Sequence, residues 1–238
     1  MGSFRLLVAL GCVAAAVIGA GSARAAVDPY ASLLAPAGVC GAAADQLALD
    51  ANTAEQMMLC LTNYARAQSG LAPLTANPLL DQAGQAKLDA DIACGDFSHT
   101  PCGNPFELVF AAYLQGASGY RIGENIAWGT GEFGTPRQTM DAWLNSAGHR
   151  ENILTPGYRE LGIGYLPNQT FQGYGGATLW SQEFGTRTPD AASAPAPAPA
   201  AKPTLAPAAK PAPVAKPKPR RAHRRVAVAK HRVARRHP

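Results

Sequence analysis

The sequence lacks the short motifs by which several enzyme classes are recognised. It contains no H-E-x-x-H zinc-protease motif, no G-x-S-x-G nucleophile elbow and no glycine-rich loop of the type that binds phosphate. It also contains no C-x-x-C pair, which argues against a zinc knuckle and a thioredoxin-type redox site. No enzymatic activity can therefore be assigned from a single motif.

Long apolar runs are confined to the start of the chain. Arg5 precedes an apolar run over residues 6–19, and residues 23–25 (A-R-A) have the small-x-small form of a cleavage site. Residues 1–25 are therefore predicted to be a secretory signal peptide, which implies an extracellular or periplasmic protein. A transmembrane anchor is a weaker alternative, because the run is shorter than the roughly 20 residues that a span needs. A lipoprotein signal at Cys12 is weaker still, because few apolar residues precede that cysteine.

Cysteine is scarce, with five in the chain and one of them inside the signal segment. The four that remain are an even number in an oxidising compartment, which favours disulfides over metal or redox use. Three pairings are open, and we favour the sequence-local set, Cys40–Cys60 with Cys94–Cys102. The second bridge would hold the loop that carries His99, and closing a short loop contributes about 2–3 kcal/mol in the chain-entropy model.

Charge is unevenly distributed along the chain. Residues 26–188 contain 7 Lys+Arg against 15 Asp+Glu, a balance of −8, whereas residues 189–238 contain 12 against 1, a balance of +11. The overall net charge of +5 therefore describes neither part. The acidic body is long enough to bury a single core.

Composition divides the chain after the signal peptide into four segments. Residues 26–52 form a lead segment with little periodicity, and residues 53–188 carry the periodic patterns of a folded domain. Residues 189–219 are rich in proline and alanine, which predicts an extended linker without a packed core. Residues 220–238 form a basic tail that is predicted to be disordered.

The basic tail has more than one candidate partner. Its charge favours electrostatic tethering to an anionic cell-envelope surface such as teichoic acid, lipopolysaccharide or an acidic membrane. Docking on the acidic body of the same chain is the alternative. Specific nucleic-acid binding is not expected, because no aromatic residues interleave with the basic ones to stack on bases.

Helices are predicted in the first part of the domain and strands at its end. A T-x-x-Q capping box starts the first helix at Thr53, with Gly70 as its stop. Asn77-Pro78 and Thr135-Pro136 each combine an N-cap with a proline at the first helical position. The remaining expected elements are a helix over 104–115 and strands over 122–128, 159–166 and 178–184. This order predicts an α+β fold rather than βαβ winding.

Two histidines and a glutamate form the candidate site. His99 and His149 are the two of five histidines that lie outside the tail, and Glu124 lies between them in sequence. All three are flanked by small residues, so we expect them in turns that face a common cleft.

Six motifs follow one another in the order and spacing of a known family. Together they resemble the bacterial branch of the CAP superfamily (cysteine-rich secretory, antigen 5 and pathogenesis-related-1 proteins) over residues 53–186. The motifs are L-T-N-Y-A-R-A-Q-S-G-L-A-P-L (61–74), F-S-H-T (97–100), G-E-N-I-A-W (123–128), A-W-L-N-S-A-G-H-R-x-N-I-L (142–154), L-G-I-G-Y (161–165) and W-S-Q-E-F-G (180–185).

The resemblance implies a three-layer α-β-α sandwich with a small antiparallel sheet and one open cleft. It places His99, Glu124 and His149 at the cleft. Animal and plant members have a second glutamate where this chain has about Ser146, so the full set of two histidines and two glutamates is missing. The ligand-binding candidates are His99, Glu124, Asn145, Ser146, His149 and Gln182.

These residue types allow two kinds of chemistry. Two neutral imidazoles and a carboxylate can hold Zn²⁺ or another divalent cation with a water in the open position, and that water could hydrolyse a bond. The same groups can instead form a hydrogen-bonded scaffold for a ligand. Because no nucleophile is identified, we favour a monomeric, non-catalytic module that binds a small molecule, a lipid or an envelope component. The alternative is a metal-assisted peptidase or cell-wall hydrolase.

Overall fold

A computed structural model of the chain describes residues 28–189, 227–228 and 232–236. The predicted signal peptide, and most of the predicted linker and tail, lie outside these residues. The α-helices are α1 (Ala51–Gln68), α2 (Pro78–Cys94), α3 (Ala111–Leu114), α4 (Pro136–Leu144) and α5 (Ala147–Ile153). The strands are β1 (Thr75–Ala76), β2 (Ala117–Thr130), β3 (Glu160–Phe171), β4 (Tyr174–Pro189), β5 (Ala227–Val228) and β6 (Arg232–Arg236).

Two helices begin where the capping signals predict. The Asn77 side chain accepts a hydrogen bond from Leu79 N at 2.9 Å, and Pro78 opens α2. The Thr135 side chain likewise accepts from Gln138 N at the start of α4. In both cases a side-chain oxygen accepts from a backbone N–H that has no partner inside the helix.

The predicted start of the first helix is wrong by two residues. Asp50 is the N-cap of α1, and its carboxylate accepts from Thr53 N at 2.8 Å and from Thr53 Oγ1 at 2.7 Å. Thr53 therefore lies in the first turn rather than at its boundary. An ionised carboxylate accepts more strongly than a hydroxyl, and the helix dipole favours negative charge there.

The predicted helix over 104–115 is divided into two short pieces. A 3-10 helix spans Phe106–Phe110, and α3 follows it. Tight 3-10 turns are seldom longer than a few residues, so this segment is a short connector rather than a continuous amphipathic helix.

The strands form one sheet in the order β1-β3-β4-β2-β5, with β6 also paired to β2. β1 runs parallel to β3, and the other pairs are antiparallel. Two stretches of the tail that was predicted to be disordered, β5 and β6, thus lie along the outer edge of β2.

Helices cover both faces of the sheet. One face packs against α1, α4 and α5 through a core that includes Met58, Trp143 and Trp180. The opposite face packs against α2 and the 106–114 segment. The three-layer sandwich implied by the family resemblance is confirmed. Within the described residues, no helix is long and apolar enough to cross a membrane.

Helix α2 lies unusually close to β3, because small residues line the contact. A Cβ on Gly84 would lie 2.6 Å from Gly164 N, and one on Gly162 would lie 2.2 Å from Asp81 N. Glycine is therefore required on both sides of this contact. The close approach places the polar residues of α2 directly over the sheet.

The predicted disulfide pairing is confirmed. Cys40 is bonded to Cys60 with a Cα–Cα separation of 5.7 Å, and Cys94 to Cys102 with 5.5 Å. The first bridge joins the lead segment to α1. The second joins the end of α2 to the turn after His99.

Candidate functional site

Two of the predicted site residues are in direct contact. His99 lies in the loop after α2, and its Nδ1 is 2.5 Å from Oε1 of Glu124 on β2. The Glu124 side chain is fully buried, whereas that of His99 is 12% exposed. A histidine N–H that donates to an ionised carboxylate forms a strong, charge-assisted hydrogen bond. Glu124 lies within β2, as the strand predicted over 122–128 requires, and not in a turn.

Glu183 is a site residue that the sequence reasoning missed. It lies on β4 directly opposite Glu124, and both residues are fully buried. Burial raises the pKa of Glu183 well above its ordinary value of 4.5, and the charge of Glu124 raises it further. Ser181 Oγ donates a hydrogen bond to the Glu183 carboxylate, which opposes this rise only in part. We infer that the two carboxyls hold a proton between them to a higher pH than an exposed glutamate would.

A second buried charged pair supports the loop that carries His99. Lys87 Nζ lies 2.5 Å from Asp91 Oδ1, and both side chains are almost fully buried. Lys87 Nζ also donates to the carbonyl of Ser98, the residue before His99. Burial raises the pKa of Asp91 to about 6 despite the opposing charge of Lys87. Together with the Cys94–Cys102 bridge, this pair fixes where His99 meets Glu124.

His149 belongs to a hydrogen-bond network on the opposite face of the sheet. It lies within α5 rather than in the predicted turn, and its Nδ1 is 2.7 Å from Ser146 Oγ. Its backbone carbonyl accepts from Asn125 Nδ2 at 3.1 Å. Asn125 also donates to Gln182 Oε1 at 3.0 Å, and Gln182 Nε2 donates to Thr62 Oγ1 at 2.8 Å. This network joins β2 and β4 to α1 and α5.

The side chain of Asn152 links the two faces of the sheet at Glu124. Asn152 Nδ2, on α5, donates to the backbone carbonyl of Glu124 at 3.0 Å and to Asn125 Oδ1 at 3.0 Å. Successive side chains of a strand point to opposite faces, so Glu124 faces α2 while Asn125 faces α5. The residues around His149 therefore orient the strand rather than extend the His99–Glu124 pair.

Two other predicted ligand residues lie near the surface of α4 and α5. Asn145 is exposed, and its Nδ2 donates to Asp141 Oδ1 at 3.1 Å and to Asp28 Oδ2 at 3.4 Å. Ser146 is half-buried and is the N-cap of α5. The hydrogen bond between Ser146 and His149 joins an N-cap to the first turn of its own helix, which is a common structural contact.

Within the described residues, the side chains are not grouped as the metal site that the residue types allow. No group of three or more His, Cys, Asp or Glu side chains is arranged to hold a metal ion in the described ranges. His99 and Glu124 contact each other through Nδ1 and Oε1, and His149 Nδ1 contacts Ser146. Metal binding by His99, Glu124 and His149 therefore stays a prediction, and no chemistry below depends on it.

A largely apolar pocket opens beside the His99–Glu124 pair. Its volume is about 420 Å³, and it lies between α2 and the 101–112 segment. Leu108, which is 53% exposed, lies among the lining residues, and His99 and Lys87 provide polar groups. The apolar lining includes Leu79, Ala83, Ala86, Phe106, Val109 and Ala112.

Comparison with known sequences places this geometry in a family context. The family model described as "Cysteine-rich secretory protein family" (CAP) matches residues 59–184, more than half of the chain. The uncharacterized protein YkwD of Bacillus subtilis is 33% identical over 132 residues, which cover 55% of this chain and 46% of that protein. The chain therefore matches about half the length of this relative.

Three solved structures are similar to the chain at low sequence identity. An outer surface protein of Borrelia burgdorferi has a TM-score of 0.50 and 18% identity, covering 59% of this chain and 97% of that one. An extracellular SCP-domain protein of Bacillus anthracis has a TM-score of 0.43 and 21% identity, covering 58% of this chain and 44% of that one. A cysteine-rich secretory protein of Staphylococcus aureus has a TM-score of 0.42 and 19% identity, covering 56% of this chain and 38% of that one.

Proposed function

Because the chain belongs to the cysteine-rich secretory protein (CAP) family, in its bacterial branch, we propose that it is an exported binding module. It holds a small, largely apolar molecule in the pocket between α2 and the 101–112 segment, with the polar end of that molecule at His99. It does so without chemical turnover.

The pocket is the observation that carries this proposal. Its volume of about 420 Å³ lies within the roughly 300–1,000 Å³ range of small-molecule sites, and such sites combine apolar walls with a few fixed polar groups. The Cys94–Cys102 bridge and the Lys87 contact to Ser98 hold His99 in place before a ligand arrives. A preformed site loses less conformational freedom on binding.

The buried carboxyls favour binding over catalysis. Glu124 and Glu183 are fully buried on the central strands, so Glu124 orients His99 and neither carboxyl is exposed to a substrate. Nucleophilic catalysis needs a nucleophile within reach of a base and an open position for substrate. Ser181 donates to Glu183 inside the core, so it is not such a nucleophile. Ser146 lies 2.7 Å from His149 Nδ1, but this pair is on the opposite face of the sheet and does not line the pocket.

A metal-assisted hydrolase is the second candidate function. It is favoured by the His99–Glu124 contact, since a carboxylate that orients a histidine is common around catalytic zinc. Calorimetric titration of the full chain with Zn²⁺ at neutral pH, followed by incubation with peptide and peptidoglycan libraries, tests it. Turnover that is lost in both His99→Ala and His149→Ala would replace the binding proposal.

Export and surface attachment complete the proposal. Residues 1–25 have the pattern of a signal peptide, and the basic tail would bring the exported domain to an anionic envelope surface. Five of the eight Lys and Arg residues of the tail precede β6, so they remain for such a surface even when β6 is paired with β2.

The binding proposal is tested with cis-parinaric acid, a fluorescent fatty acid with an apolar body and one polar end. Ala86 is exposed and lines the pocket, so Ala86→Phe fills the pocket without disturbing the core. Ala93→Phe, at an exposed position of the same helix away from the pocket lining, is the matched control. We expect saturable binding by the wild-type chain and the control, and affinity at least 10-fold weaker in Ala86→Phe. Equal affinity in all three proteins would contradict the pocket as the binding site.

A further inference from the structure

The outer edge of β2 is a long strand edge in this sheet. β2 has 14 residues, whereas strands usually have about 5–6. β4 pairs with one edge of β2 over almost its whole length. The other edge would present a row of backbone N–H and C=O groups, which in native proteins is shortened, charged or covered because it pairs readily with other strands.

Two stretches of the basic tail pair with this edge. β5 is antiparallel to β2 with Ala127 opposite Val228, and β6 continues in the same direction from Arg232, opposite Glu124, to Arg236, opposite Tyr120. Residues 229–231 connect the two stretches. The tail thus follows β2 past the position of Glu124, the carboxylate that holds His99.

Charge favours this pairing. The body carries a balance of −8 and the tail, residues 220–238, one of +8, and β6 alone contributes three arginines in five residues. Opposite net charges steer the two parts of the chain towards each other. The backbone hydrogen bonds of the antiparallel pair then set the register of β6 along β2.

The connection is long enough for docking within one molecule. Pro189 lies opposite Ala117 and Ala227 lies opposite Trp128, which are 11 residues apart on β2. At about 3.3 Å per residue this separation is roughly 36 Å. The 37 residues from 190 to 226 would reach about 115 Å at 3.1 Å per residue. A tether of this kind gives the tail an effective concentration of up to about millimolar.

We propose that the outer edge of β2 is a docking site for an extended basic strand, and that residues 227–236 of the same chain are its occupant. Docking completes the sheet beside Glu124 and keeps other strands away from that edge. Release of the tail exposes the same backbone groups to another extended segment. This proposal is independent of what the pocket binds.

The test uses the full chain with two adjacent prolines in β6, Val233→Pro and Ala234→Pro together. Successive N–H groups of a strand point to opposite edges, so the pair removes a donor that faces β2 whichever residue supplies it. The matched control places the same two prolines in the linker, at Ala208 and Ala209. Amide hydrogen exchange of residues 120–128 is measured in all three proteins, together with binding of a labelled peptide of residues 225–238.

We expect exchange over 120–128 to be at least 10-fold faster in the β6 variant than in the wild type and the control. We also expect the peptide to bind the variant at least 10-fold more tightly than the wild type, whose tethered tail competes. Unchanged exchange, or equal peptide binding, would overturn the proposal. Acceleration that spreads over β3, or protection that rises with protein concentration, would also overturn it, since the first is global unfolding and the second is pairing between copies.

Discussion

Replacing Glu183 by Gln tests the inference that two buried carboxyls hold a proton between them. Glu183 lies directly opposite Glu124, and neither side chain is exposed. Glutamine has nearly the same shape, can accept from Ser181 through its oxygen and can donate to Glu124 through its amide. The substitution therefore removes the second ionisable group while leaving the hydrogen bonds available.

The sign of the pH dependence follows from the raised pKa of Glu183. In the unfolded chain the group titrates near 4.5, and in the folded protein it titrates well above that value because of burial and the Glu124 charge. Between these two pKa values the folded state binds one more proton than the unfolded state. The stability of the wild type therefore falls by up to about 1.4 kcal/mol for each pH unit as pH rises through this window. The stabilisation by protonated Glu183 is fully present below pH 4.5.

The assay is urea unfolding of wild type and Glu183→Gln at a series of pH values from 4 upward, without reductant. As pH rises, the unfolding free energy of the variant is expected to increase relative to that of the wild type. The increase should be up to about 1.4 kcal/mol for each pH unit. The pKa of Asp91, raised to about 6 by burial, affects both proteins equally and cancels in the difference. Glu132→Gln, at an exposed carboxyl, is the control and should stay within about 0.5 kcal/mol of wild type. Parallel stability curves for wild type and Glu183→Gln would refute the shared proton.

Two further predictions concern the close helix–sheet contact and the disulfide bridges that position the site. Gly84→Ala would place a Cβ 2.6 Å from Gly164 N, so we expect the free energy of unfolding, measured by thermal unfolding, to fall by about 1–3 kcal/mol. In the control Gly175→Ala the added Cβ would have no atom within 4 Å, so its stability should be nearly unchanged. Cys94→Ser with Cys102→Ser should lose about 2–3 kcal/mol and also weaken cis-parinaric acid binding, because it loosens the loop of His99. Cys40→Ser with Cys60→Ser should lose comparable stability but keep the affinity; equal losses of affinity in both pairs would contradict the role of the loop.

Local signals in the sequence predict much of the fold. The Asn-Pro and Thr-Pro pairs mark the starts of α2 and α4, because an N-cap and a proline at the first helical position satisfy the same backbone groups wherever they occur. The alternation of apolar and polar residues near the end of the folded domain predicts β3 and β4. The sequence-local cysteine pairing is also confirmed.

The position of Glu183 depends on contacts that no local pattern contains. Alternation along β4 places Trp180 and Phe184 on one face and Glu183 on the other. Whether that second face is buried, and which residue lies opposite, depends on the layer formed by α2 and on the register with β2. The family resemblance contains Glu183 within the W-S-Q-E-F-G motif, but it places only Glu124 at the cleft.

One missed pair did have a local signal. Counting at helical spacing from Leu80 along α2 reaches Lys87 and Asp91, so both lie on the buried face of that helix. Their i,i+4 spacing is that of an intrahelical ion pair. Gly84, on the same face, allows the close approach to β3 that buries them.

The proposed function depends most directly on what occupies the pocket between α2 and the 101–112 segment. A crystal of the full chain grown with 12-bromododecanoic acid would locate the bromine by anomalous scattering. We expect one bromine peak among the apolar lining residues, near Leu79 and Val109, with the carboxylate of the same molecule towards His99. An empty pocket in crystals grown with saturating ligand, or a bromine bound elsewhere on the protein, would contradict the proposed function.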